Sequence, residues 1–170
     1  LRENLNDALN CTLELAVIAK KYPNLIRSTF YKTCIMHLAS ITEAVLHYCA
    51  LRCIGKSFKE IDWTYQRINV LYSFGEDHDP PNLQIVTADR VKKSRFLSGY
   101  IDFQVLNKLC LREKIIDDDL FKEVQDVRKL RNKIHLFGLE LVDRQYTPVQ
   151  VDMVAKTASK VIAIAKEKLE

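Results

Sequence analysis

The sequence predicts an all-α protein: a four- to five-helix bundle forming one domain over residues 1–170. Three observations predict it. Only four Gly and four Pro occur in 170 residues, so few positions interrupt a helix. Leu, Ile, Ala, Lys and Glu are abundant, and all but Ile are strong helix formers. Outside residues 56–100, apolar side chains recur at spacings of three and four, and at 48% hydrophobic residues a chain of this length can bury a real core.

Arg2 to Lys20 carries Leu5, Leu9, Leu13 and Val17 at helical spacing, and Pro23 ends this first helix. From about Ser28 to Ile54 the chain is apolar nearly all round, as a central helix of a bundle must be, and Gly55 supplies a C-cap. Phe58 to about Leu71 reads as a third helix containing the single tryptophan, Trp63. The stretch YSFGEDHDPPN, Tyr72 to Asn82, reads as a loop. Gln84 to Tyr100 has weak periodicity and reads as loop with a short helix or strand pair. The bundle is thus expected to carry a long irregular, loop-rich insertion within 56–100, between the third helix and the helices that follow.

Ile101 to Arg112 returns to helix, with Phe103, Leu106, Leu109 and Cys110 on one side. Asp117 is the expected N-cap of a helix from Asp118 to about Leu136, whose acidic start and basic end suit the helix dipole. Thr147, with Pro148 at the first helical position and Gln150 completing a capping box, opens a last helix to about Lys168.

The net charge of +4 permits a nucleic-acid partner but is far below that of a DNA-coating protein. The five cysteines, Cys11, Cys34, Cys49, Cys53 and Cys110, are odd in number, contain no CxxC pair and sit mostly on apolar stretches. They read as reduced, buried thiols in a cytoplasmic protein. No run of about 18 apolar residues occurs, and LRENLNDALN is too polar for a signal-peptide core, so no membrane partner is expected.

The stretch VRKLRNKIHL, Val127 to Leu136, crowds Arg128, Lys129, Arg131, Lys133 and His135 into one helix. At about 100° per residue from Leu120, the residues Val124, Val127, Leu130 and Ile134 form an apolar arc, while Asp118, Lys122, Asp126, Lys129 and Lys133 fall on the opposite half. Arg131, His135 and Arg128 fall at roughly 20°, 60° and 80°, on the flank of the apolar arc. Cations so placed need acceptors. The second helix offers Ser40, Glu43 and His47, spaced three and four apart on one face, with Glu43 available to pair with Arg131 or Arg128.

The segment REKIIDDDLFKEVQDVRKLRNKIHLFG, Arg112 to Gly138, resembles the last part of HEPN domains, helical bundles whose signature is an Arg followed four to six residues later by a His. Arg128 and His135 meet that spacing with six intervening residues. Arg131, Asn132 and His135 carry the R-N…H arrangement with three residues between Arg and His. The stretch ASITEAVL resembles the HEPN helix that packs on the motif helix, so the likeness spans about Ser28 to Lys168, except Lys56 to Tyr100.

The resemblance implies a homodimer that brings two Arg/His motifs together, in many members as a metal-independent endoribonuclease. His135 would then be the acid/base and Arg128 and Arg131 the phosphate ligands, with Asn132 positioning and Glu43 organising the arginines. No cofactor or metal is implied. Such domains occur in defence and toxin–antitoxin systems, often beside a nucleotidyltransferase-type antitoxin, while others are non-catalytic binding or structural modules. In the rival reading, therefore, the same residues are an ion-pair and hydrogen-bond seam of a helical interaction module.

Three other signals have simpler readings. The run DRVKKSR, Asp89 to Arg95, reads as a solvated loop before an RNA-tracking patch. His78 with Glu76, Asp77 and Asp79 lacks the spacing of one metal coordination sphere. Phe96, Tyr100 and Phe103 read as core before base-stacking groups.

Overall fold

In a computed structural model of the chain, the elements follow in the order α1 (Arg2–Ala19), α2 (Asn24–Ile54), β1 (Ser57–Lys59), β2 (Thr64–Ser73), β3 (Gln84–Val91), β4 (Ser94–Phe96), α3 (Phe103–Arg112), α4 (Asp118–Leu136) and α5 (Pro148–Leu169). The structure describes residues 2–59, 64–73, 84–91, 94–97, 101–136 and 146–169, with backbone alone for β2, β3 and some element ends. The protein is a predominantly helical bundle.

The helix ends follow from local chemistry. Gly55 closes α2 at φ +91°, a left-handed setting that favours glycine, and its N–H donates to the Leu51 carbonyl at 3.1 Å. Asp117 caps α4 through the Leu120 N–H at 2.8 Å. Thr147 and Gln150 form a reciprocal capping box at the start of α5.

α2 packs against each of the other four helices. It is long and apolar enough to cross a membrane, but it is clad by its neighbours and serves as the core helix of the bundle. Two apolar clusters lie along it. One gathers Cys34, Ile35 and Leu38 with Val127, Ile134, Val151, Val154 and Ala158. The other gathers Val45, Leu46 and Cys49 with Phe58, Leu97, Phe103, Leu106, Leu109, Leu120 and Val124.

Several expectations are corrected here. The third helix expected over Phe58 to Leu71 is instead β1 and β2, and the region taken as an irregular insertion holds two antiparallel strand pairs. β1 pairs with β4, setting Lys59 opposite Ser94, and β2 pairs with β3 with register shifts between Arg67 and Asn69 and between Val70 and Tyr72. α1 forms over the expected residues. Its stripe Leu5, Leu9, Leu13, Val17 leaves the core: Leu13 is 66% and Val17 57% exposed, while Thr12 and Ala19 are buried and Ala8, Leu15 and Ala16 are half-buried. A strict four-residue spacing rotates by about 40° at each step, so it carries a stripe that starts at the core edge out to solvent. The buried face consists largely of small residues.

Trp63, the EDHDPP stretch with His78, and Tyr100 lie outside the described residues, as do the side chains of Asp89 to Arg95. Phe103 is core as read, but Phe96 is 71% exposed. Cys34, Cys49 and Cys110 are buried, whereas Cys11 and Cys53, expected to be buried too, are exposed.

Candidate functional site at the junction of the second, third and fourth helices

α4 presents its side chains as its periodicity requires. Leu120, Val124, Val127 and Ile134 are buried against the core. Lys122 and Lys129 lie on the outer face and pair with Asp119 and Asp126 one turn earlier, both at 3.1 Å, and Lys133 is exposed. These are ordinary solvated charges.

Arg131 lies inward, between the two sets. Its Nη1 donates to the Glu43 carboxylate on α2, and its guanidinium carbon stands 5.9 Å from the centroid of the Phe103 ring on α3. The two charged side chains are 25% and 22% exposed. A guanidinium removed that far from water requires an anionic acceptor, and Glu43 supplies it, while the ring face adds a cation–π attraction of about 1 kcal/mol. Three helices are thereby joined at one point.

Arg128, three residues earlier, differs. It is half-buried and its Nε donates to the neutral Gln125 side chain at 2.8 Å, so among the described contacts no carboxylate neutralises it. Asn132, one turn further along, is exposed. His135 lies in the last turn of α4, its side chain outside those described.

The remaining predicted residues do not join this group. His47 donates its Nε2–H to the Leu97 carbonyl at 2.6 Å, and the Leu97 N–H donates to Lys56, so His47 ties the β1–β4 pair to α2. A carbonyl oxygen only accepts, which fixes the proton on Nε2. Ser40 is exposed and lines a cavity of about 480 Å³ between α1 and α2, with Leu5, Ala8, Cys11 and His37. The expected polar seam of Ser40, Glu43 and His47 thus contracts to Glu43.

Two partners escaped the sequence reading. Phe103 was read as core, which it is, but not as the face on which Arg131 rests. Asn107 is wholly buried and its Nδ2 donates to the Phe121 carbonyl at 3.1 Å, tying α3 to α4. Its signal was partial: on the helical wheel it falls about 40° beyond the arc of Phe103, Leu106 and Cys110, between Phe103 and Leu111. Among the described residues, no group of three or more His, Cys, Asp or Glu side chains is placed to hold a metal ion. Compared with known proteins, the chain matches no family model, no curated protein and no solved structure.

Proposed function

We propose that this chain is a HEPN-type domain that binds RNA along the α4 flank carrying Arg128, Asn132 and His135. As a homodimer bringing two such flanks together, it cleaves RNA without a metal, in a defence or toxin–antitoxin setting with a nucleotidyltransferase-type antitoxin as partner. The observation that carries this reading is the division of labour between two arginines. Arg131 is paired with Glu43 and fixes α4 against α2, whereas among the described contacts Arg128 meets only a neutral amide. A guanidinium of the second kind suits a phosphate, to which it can donate two parallel hydrogen bonds. Cleavage would proceed with His135 taking the ribose 2′-hydroxyl proton and returning one to the leaving 5′-oxygen, while Arg128 stabilises the charge gathering on phosphorus. Arg131 becomes a positioning residue in this scheme.

A second reading is favoured by the Arg131–Glu43 pair and its seat on Phe103. An internal ion pair across three helices is what a purely structural arginine makes, and in that reading the domain is a non-catalytic interaction module.

The deciding measurement is incubation of RNA with the purified chain in excess EDTA, beside His135→Ala and Arg128→Ala. Cleavage leaving 2′,3′-cyclic phosphates, reduced at least 100-fold in His135→Ala with its melting temperature retained, is the expected result. No cleavage and no RNA binding, with His135→Ala melting well below wild type, would establish the structural reading.

A further inference from the structure

The corner between α1 and α2 has features that the α4 site does not use. Leu13 and Val17, which rotate out of the core along α1, are joined by Ile18 at 36%, Tyr22 at 42% and Ile26 at 46% exposure. Five large apolar side chains are thus presented at the end of one helix, through the turn and at the start of the next. Isolated exposed apolar residues need no explanation, but several gathered at one helix–turn–helix corner mark a contact surface.

Glu14 lies beside Leu13 on α1, but from there on the charge along the chain through the corner is of one sign. Between Glu14 and Glu43 the chain has no acidic residue, and the turn itself carries the exposed Lys20 and Lys21. The corner is also rigidly built. The Lys21 and Tyr22 N–H groups donate to the Ile18 and Ala19 carbonyls at 2.9 and 3.2 Å. Arg27 reaches back with Nε and Nη2 to the Tyr22 carbonyl at 3.1 and 2.9 Å, and the Tyr22 ring packs at 5.4 Å from Phe30.

We infer that this corner docks the protein on an anionic lipid surface, with Val17, Tyr22 and Ile26 entering the headgroup layer and Lys20 and Lys21 meeting lipid phosphate and carboxylate groups. Charge complementarity selects the occupant: basic side chains flanking apolar ones, with a tyrosine between them, form the pattern of a membrane-interface contact. The contact is peripheral, because α2 behind it belongs to the core. It departs from the expectation of no membrane partner, which rested on the lack of a long apolar run.

The test is co-sedimentation of the full chain with phosphatidylcholine vesicles, with and without about one-third phosphatidylserine. Binding is expected to the anionic vesicles, to weaken with added salt, and to fall at least tenfold in the double variant Lys20→Glu/Lys21→Glu and clearly in Tyr22→Ser. All of these positions are exposed, so their thermal melts report that the fold is kept. Equal binding to neutral vesicles, binding unchanged by the charge reversals, or no vesicle binding beside self-association lost in Tyr22→Ser would each overturn the inference.

Discussion

Glu43 and Arg131 show how one residue choice commits a helix junction. With the carboxylate removed, a guanidinium three-quarters withdrawn from water keeps its charge and loses its acceptor. Glu43→Ala should therefore cost about 1–3 kcal/mol in chemical denaturation. Adding Arg131→Met to Glu43→Ala should restore part of that loss, since the unpaired charge is gone. A Glu43→Ala chain as stable as wild type would show the pair to be mere surface decoration. The inward placement of Arg131 was readable from its wheel position, and so was Glu43 as an acceptor. The choice of Arg131 over Arg128 was not, because it depends on how α2 and α4 slide and rotate against each other. Nor was the Phe103 ring beneath it, contributed by a helix sixty residues from Glu43 along the chain.

Among the elements, helix ends were the most readable feature, because Gly55, Asp117 and Thr147 act through their immediate neighbours. Residues 58–71 misled for an identifiable reason. Ile61, Tyr65, Ile68 and Tyr72 stand at spacings of four, three and four, which imitates a helix face. The alternation proper to a strand is broken where β2 shifts register against β3, so neither period is clean. β-branched and aromatic residues in TYQRINVLYS tip the balance to strand. The β1–β4 ladder also yields a prediction. It sets Lys59 opposite Ser94, so the chain between leaves and returns at adjacent positions. Replacing residues 60–93 by Asn-Gly, which closes a two-residue hairpin, should leave a folded helical bundle melting within a few degrees of the full chain by circular dichroism. Loss of the cooperative melt would mean that the excised strands hold the bundle together.

For the whole molecule, the buried thiols link the core to pH. Burial pushes the Cys34 and Cys49 thiols up to about 11 and Cys110 to about 12, from an ordinary 9. In the unfolded chain these thiols release protons above pH 9, whereas in the folded protein they stay protonated. Their contribution is therefore fully present below pH 9 and is lost as pH rises through 9 toward 11 and 12. The melting temperature should fall over that range, and less steeply in Cys110→Ala relative to its own value at pH 8. At pH 8 a thiol reagent should label Cys11 and Cys53 rapidly and the other three only on unfolding. Rapid labelling of all five would contradict the packing of both apolar clusters.

The cladding of α2 bears on how the protein must be made. Cys34, Ile35 and Leu38 are covered by Val151, Val154 and Ala158 of α5, an element synthesised long after α2. A nascent chain that has completed α1 and α2 therefore displays the apolar face of α2 that α5 will cover until α5 has emerged. Such surface invites association with other emerging chains and is the substrate that general chaperones hold. Slow translation late in the message would lengthen that vulnerable interval, and a chain stopped before residue 148 would never leave it.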